Sequence, residues 1–278
     1  HEKDIPIQVA VGNYDLGICG LDWVEELLVK YPSSGIVKIK NLRYGQSALY
    51  MAASRLSGIS TVEELLTKLD IIRIASEYPN LAEAFATKFR LRRFSLFPLW
   101  GAAEVYPPES ADLALVSVRT ERELLSYGLV PVNKVLDTGA CLIANASSWV
   151  TKDLSEILTS IEDELLGMEK PASHSGTVKI KELPGGESSI EADEDTVWLA
   201  LPDGHQQAPA LSLLGKAGIQ IDDNPENRRP AINLAGVMVK MIRPQDMPLQ
   251  VANGNFDLAV TGRDWLTEHL YQFPSSPV

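Results

Sequence analysis

The stretch Asp4-Ile-Pro-Ile-Gln-Val-Ala-Val-Gly-Asn-Tyr-Asp-Leu-Gly-Ile-Cys-Gly-Leu-Asp-Trp23 returns as Asp246-Met-Pro-Leu-Gln-Val-Ala-Asn-Gly-Asn-Phe-Asp-Leu-Ala-Val-Thr-Gly-Arg-Asp-Trp265. The correspondence runs without a gap to Pro32-Ser33-Ser34 and Pro274-Ser275-Ser276, at a constant offset of 242 residues. Solenoid repeats have periods of about 20–50 residues, so a whole domain-sized unit is duplicated here. The 278 residues hold one period and the first 36 residues of the next. Within the repeated block, residues 6–12 read as a short amphipathic helix ending at Gly12 (Gly254 in the second copy), where glycine tolerates positive φ. A short buried strand follows at 16–19 or 258–261. Gly20 or Gly262 then opens a second helix with Asp22 or Asp264 near its positive end, where either aspartate can serve as an ordinary cap.

Outward from this block the pattern alternates. Residues 37–39 and 47–53 read as strands, and 62–69 as a helix capped by Ser60 or Thr61. Strands are expected at 71–75 and 94–99, with a helix over 81–89 between them. The run 111–118 is apolar throughout and reads as a buried parallel strand, with a helix over 121–127. Strands follow at 130–136 and 140–144, then a helix at 153–166. Such alternation implies an α/β protein. From 167 to 195 the chain turns Gly-, Pro- and Ser-rich and then acidic, so it reads as a linker. Residues 182–195 carry Glu182, Glu187, Glu191, Asp193, Glu194 and Asp195 and no base. Strand character resumes at 197 and again at 237–242, around a helix at 207–217.

Composition sets the remaining bounds. Twenty-five basic against thirty-seven acidic residues give a formal charge of −12, which argues against a nucleic-acid partner, because neutralising phosphates requires a basic face. No run approaches the roughly 20 apolar residues of a membrane span, and His1-Glu2-Lys3-Asp4 lacks a signal-peptide pattern. Cys19 and Cys141 sit in apolar runs, as buried thiols do in a reducing compartment. A cytoplasmic location is therefore expected, without a membrane partner. The four histidines, His1, His174, His205 and His269, show no metal-ligand spacing, and no Ser- or Cys-based nucleophile motif is present.

Taken in order, several segments resemble the catalytic subunit of the ATP phosphoribosyltransferase family. Val197-Trp-Leu-Ala-Leu-Pro-Asp-Gly204 resembles that family's Leu-Pro-Lys-Gly strand and turn, and the helix closing at Gly218 its Ala-Gly end. Arg243 with Asp246-Met247-Pro248 is similar to its Arg-x-x-Asp-Ile-Pro segment, and Asp257-Leu258 and Asp15-Leu16 to its Ala-Asp-Leu-Gly-Ile. Ile74-Ala-Ser-Glu-Tyr-Pro-Asn-Leu81, Gly101-Ala-Ala-Glu104 and Ala140-Cys-Leu-Ile-Ala-Asn145 match further motifs. The resemblance implies a bilobed, periplasmic-binding-protein-like (type II) architecture, two α/β lobes with a cleft between them. On that frame 1–34 and 137–165 belong to lobe one, 36–135 is lobe two, 167–195 is the acidic linker, and 196–278 is lobe-one material of a second copy. The first copy lacks its opening strand and helix, which only 195–245 supplies. The duplicated 246–278 competes with 4–34 for one place, which invites exchange between protomers.

The implied reaction joins N1 of ATP to the ribosyl carbon of phosphoribosyl pyrophosphate with Mg²⁺, the first step of histidine biosynthesis. Glu104 is the implied catalytic residue. Tyr78, Arg243, Asp15, Leu16, Asp257 and Leu258 would contact the adenine nucleotide or the cleft. Arg119, Thr120 and Arg122 would face the phosphoribosyl phosphate. ATP or AMP, phosphoribosyl pyrophosphate and further copies of the chain are the implied partners.

Two departures weigh against turnover. The family's phosphate loop, Asp-x-Val-x-Thr-Gly-x-Thr-Leu, reads Val116-Ser-Val-Arg-Thr-Glu-Arg-Glu-Leu124 here, so only Thr120 survives of its polar positions. Small residues and backbone N–H groups surround a phosphate in such a loop. Glu121 and Glu123 would each repel a dianion by about 1 kcal/mol in water at about 4 Å, and by roughly 4 kcal/mol at an effective dielectric near 20. Arg119 and Arg122 could offset that, or Arg119 could simply pair with Glu123 one turn on. The opening turn also has Asp203 and His205 where the family carries cations. A degenerate nucleotide- or anion-binding homologue without turnover is therefore the alternative, and a structural repeat a third.

Overall fold

In the computed structural model, residues 1–167, 196–222 and 227–278 are described. The expected linker at 167–195 lies outside them except at its first position. The chain opens with α1 (Ile5–Ala10), β1 (Leu16–Gly20), α2 (Leu21–Lys30) and β2 (Ile36–Asn41). Gly12 closes α1 at φ +80°, a conformation that a side chain would strain.

The next segment runs β3 (Ser47–Ser54), α3 (Val62–Lys68), β4 (Ile72–Ser76), α4 (Pro79–Lys88), β5 (Phe94–Pro98), β6 (Leu113–Val118), α5 (Glu121–Ser126) and β7 (Leu129–Thr138). Its five strands form one sheet in the order β5-β4-β6-β3-β7. β4 runs parallel to both β5 and β6, whereas β3 is antiparallel to β6 and β7. The apolar run expected as a parallel strand is thus parallel on one side only. Burial on both faces, which an apolar run reports, does not fix strand direction. The strands' apolar side chains divide between two cores. One gathers Leu49, Met51, Ile74, Leu113 and Leu115 under Leu65, Leu81 and Phe85 of α3 and α4. The other gathers Tyr50, Ala52, Ala114 and Val116 on the opposite face.

β8 (Ala140–Asn145) returns to β1 and β2, giving an antiparallel three-stranded sheet in the order β1-β8-β2. Cys19 and Cys141 face each other across its first ladder as buried free thiols. Two helices follow, α6 (Ala146–Thr151) and α7 (Ser155–Gly167). Only the second was expected. α6 is started by Asn145, whose side-chain oxygen accepts the N–H groups of Ser147 and Ser148 at 3.0 Å each.

Beyond residue 195 come β9 (Val197–Pro202), α8 (Gln207–Lys216), β10 (Val237–Ile242), α9 (Met247–Ala252), β11 (Leu258–Ala259) and α10 (Arg263–Gln272). They form a parallel sheet in the order β10-β9-β11. β9 therefore pairs with the second copy's short strand, while the equivalent first-copy strand β1 pairs with β8. The fold is α/β and bilobed. Ala200, Ile242, Met247 and Phe256 of the C-terminal unit complete the second core of the five-stranded sheet, against Ala103, Val105 and Tyr106. Among the described residues no helix is long and apolar enough to cross a membrane.

Candidate functional site between the sheet ends

Parallel strands present their carboxyl ends together, and in α/β folds ligands bind there. Here β4 and β5 end at Ser76 and Pro98, while β9 and β10 end at Pro202 and Ile242, and charged side chains meet between them. Arg228 donates to Asp203 Oδ2 at 2.5 Å and stands 3.4 Å from Glu104 Oε1. Arg243 reaches the same Asp203 oxygen at 3.2 Å. Its guanidinium lies against Gly101, where an added Cβ would stand 2.6 Å from Arg243 Nε; glycine here is a requirement of close approach. Asp246, at the start of α9, accepts the Trp100 N–H at 3.0 Å. The Lys3 ammonium sits 3.2 Å above the Trp100 ring.

Burial governs the protonation of this cluster. It pushes the Glu77 carboxyl up to about 6, helped by neighbouring Glu104 and opposed by Arg243, Lys3 and Arg228. It pushes Asp246 up to about 7, against the Trp100 N–H and with Glu77 adding to the rise. Glu104 is likewise raised, by burial first, with Arg228 and Arg243 pulling the other way. Desolvation lowers Lys3. Two cleft carboxyls thus change charge near neutrality, where a proton acceptor is most useful.

Behind the cluster a second network joins the C-terminal unit to the five-stranded lobe. Glu109 accepts from Arg229 at 2.9 and 3.0 Å and from Lys240 at 3.0 Å. Burial alone would raise the Glu109 carboxyl; the Arg229 hydrogen bonds and both cations overcome it and hold the group at about 2. Lys240, 1% exposed, also lies over Trp198, and burial and Arg229 lower it to about 8.

The expected site residues are distributed unevenly. Glu104 and Arg243 stand in the cleft cluster. Tyr78 is buried; its hydroxyl donates to Asp22 Oδ2 at 2.7 Å and its ring lies 4.3 Å from that of Trp23. Asp15 accepts from Lys152 at 2.7 Å and Ser148 at 2.6 Å, contacts that hold its carboxyl below the usual range. Asp257 accepts the Trp198 N–H at 2.7 Å, at the end of β9 opposite Asp203. Leu16 and Leu258 lie in the ladders opposite Ala144 and Leu199. Arg119, Thr120 and Arg122 are exposed at the start of α5.

In that loop the Glu123 carboxylate accepts the Arg119 backbone N–H at 2.8 Å, and the Tyr127 hydroxyl at 3.2 Å. The contact with Arg119 is therefore through the backbone. Tyr50 donates to Glu121 at 3.2 Å. Burial, then Glu123 and Glu104, push Tyr127 up to about 12. Among the described residues no three His, Cys, Asp or Glu side chains converge as a metal cage.

Glu77, Asp246, Lys3, Glu109, Arg229 and Lys240 were not expected as functional. One signal existed for Lys240: a single charge inside the apolar strand Val237–Ile242 demands a buried partner.

Residues 1–164 match the family model described as HisG: ATP phosphoribosyltransferase. The ATP phosphoribosyltransferase of Sulfurisphaera tokodaii is 32% identical over 173 residues, covering 60% of this chain and 57% of that protein. That of Pyrobaculum aerophilum is 33% identical over 159 residues, covering 57% and 53%. The chain spans about half the length of such curated relatives. Among solved structures, the ATP phosphoribosyl transferase (HisG:HisZ) complex from Thermotoga maritima aligns with a TM-score of 0.49 at 21% identity, over 60% of this chain and 76% of that one. On the family match across its first 164 residues, the chain belongs to the ATP phosphoribosyltransferase family.

Proposed function

We propose that this chain takes part in the transfer of the phosphoribosyl group of phosphoribosyl pyrophosphate to N1 of ATP. The carrying observation is the charged cluster between the carboxyl ends of the two parallel strand pairs. In this reaction the N1–C1′ bond forms as the bond from C1′ to the pyrophosphate oxygen breaks, and pyrophosphate leaves with the electron pair. Such chemistry needs positioning and charge stabilisation, without a protein nucleophile. Arg228 and Arg243 supply cations for polyphosphate, and each is now paired with Asp203, so ligand binding would exchange one anion for another. Glu104 is the proposed acid–base group. Mg²⁺ is proposed to arrive on the pyrophosphate, since Mg²⁺ sites commonly combine one or two carboxylates with substrate phosphates. Tyr78, Asp15, Leu16, Asp257 and Leu258 are proposed as the frame around the nucleotide, and further copies of the chain as its partners. A cytoplasmic setting suits the two free thiols.

A specific observation favours the second reading, nucleotide binding without turnover. Glu123 already occupies the Arg119 N–H that a phosphate would need, so the loop beside Thr120 and Arg122 is closed by its own anion. The two readings separate on one bench. Pyrophosphate release is measured with ATP, phosphoribosyl pyrophosphate and Mg²⁺, beside calorimetry with AMP, ATP and histidine. Turnover is expected; AMP binding without turnover would establish the second reading. The double change Glu121→Gly/Glu123→Thr is expected to tighten phosphoribosyl pyrophosphate binding. Unchanged affinity would remove the loop from the site.

A further inference from the structure

Helices α2 and α10 are two copies of one element in different surroundings. On α2, three side chains grip the start of α4. The Tyr78 hydroxyl donates to Asp22 at 2.7 Å, and the Trp23 and Tyr78 rings are 4.3 Å apart. The Glu26 carboxylate accepts the Asn80 backbone N–H at 2.8 Å, the Asn80 side-chain amide at 2.7 Å and the Leu81 N–H at 2.8 Å. Asp22 and Glu26 are each 7% exposed. The first N–H groups of a helix have no partners within it, and a carboxylate at the positive end satisfies them.

The second copy keeps the same three residues at the same spacing, as Asp264, Trp265 and Glu268. Elsewhere the helix has changed: Thr267 corresponds to Glu25, His269 to Leu27, Tyr271 to Val29 and Gln272 to Lys30. Yet Asp264 and Glu268 are exposed. With Trp265 they line a cavity of about 400 Å³ beside Trp100 and Asp246. Glu268 meets the Gln272 amide one turn on, at 2.7 Å.

We propose that α10 is a second grip for the same target, and that its occupant is the Tyr78–Leu81 helix start of another copy of this chain. There α10 takes the place of that copy's α2. The sheets support the same exchange. β1 and β11 are both edge strands, and β11 is the repeat counterpart of β1, the strand that pairs with β8. The block β11–α10 therefore carries both surfaces, the ladder edge and the grip, that hold β1–α2 on the rest of the fold. The exchange gives up the short β9–β11 ladder for the β8 edge, and because it joins two chains its extent rises with concentration. The proposal rests on the repeat and on the α2–α4 contacts, and stands whether or not the cleft turns over substrate.

Two full-length chains test it, one carrying Glu268→Cys and the other Asn80→Cys. Cys19 and Cys141 are buried free thiols in the β1–β8 ladder, and because the exchange releases β1, every chain in the test also carries Cys19→Ala and Cys141→Ala. An intrachain disulfide in the Glu26→Cys/Asn80→Cys chain calibrates the geometry, which requires close Cα atoms. Mixing the two single-cysteine chains under mild oxidation is expected to give a mixed disulfide dimer, identified by mass, well above the self-paired species. Adding Trp265→Ala to the Glu268→Cys chain is expected to lower its yield severalfold. No mixed dimer, or a yield indifferent to Trp265, would overturn the proposal. Thermal melts of each variant show whether it is folded, and Trp265→Phe, which keeps the ring, is expected to retain the cross-link.

Discussion

Glu109 shows how one residue decides whether a buried charge is an asset. It receives Arg229 and Lys240 together, and Lys240 has almost no contact with water. Removing one partner of such a set leaves an uncompensated buried charge, which costs about 3–5 kcal/mol. Glu109→Ala is therefore expected to destabilise the chain by about 3 kcal/mol, read from a urea midpoint. Lys240→Met in the Glu109→Ala background is expected to recover part of that loss, because no ammonium then remains buried alone. A loss no larger than that of an exposed ion pair would contradict the role assigned to the network. Lys240 was also the most legible of the unexpected residues, since a lysine within Val-Met-Val-Lys-Met-Ile has to be partnered. Its partner was not legible: Glu109 lies 131 positions away, in a turn whose own pattern says only Pro and Ser.

At the scale of elements the repeat was the most informative reading, and it found α1, β1 and α2 with their counterparts α9, β11 and α10. Periodicity reports which face of an element is apolar. It does not report which strand lies next to which, so the β9–β11 and β1–β8 pairings came only with the structure. α6 escaped for a different reason, because Ala-Ser-Ser-Trp has no apolar stripe and its start depends on one side-chain oxygen, that of Asn145. Within α2, two adjacent glutamates differ sharply in place, and the repeat keeps only the second of them, as Glu268. Glu26 holds three donors at the start of α4, whereas Glu25 meets Lys38 at 2.6 Å on a partly exposed surface. Unpaired buried donors cost about 1–3 kcal/mol, and exposed ion pairs about 0–1 kcal/mol. Glu26→Ala is thus expected to lower stability by about 2 kcal/mol and Glu25→Ala by well under 1 kcal/mol, compared in parallel melts. Equal effects would show that α4 does not depend on the grip.

The whole molecule brings the C-terminal unit against the five-stranded lobe, and the charges at that junction make its stability depend on pH in two directions. Asp246 and Glu77 ionise at about 7 and about 6 in the folded chain, both above their usual values. Between their unfolded and folded values the native state holds more protons than the unfolded state, so stability falls as pH rises from about 4 to about 7. Glu109 works oppositely. Its carboxyl is held at about 2, so the stability it confers is complete above its unfolded value and is lost as pH falls from about 4.5 towards 2. Stability is therefore expected to be greatest near pH 4, and lower at both pH 8 and pH 2.5. Urea midpoints at those three values provide the check. Asp246→Asn keeps an oxygen for the Trp100 N–H and removes the ionisation, so it is expected to flatten the decline between pH 4 and pH 8 while leaving the acid limb in place. If the variant declines as steeply as the parent, the junction does not carry the pH dependence. If the acid limb vanishes with it, Asp246 and Glu109 form one coupled network across the junction.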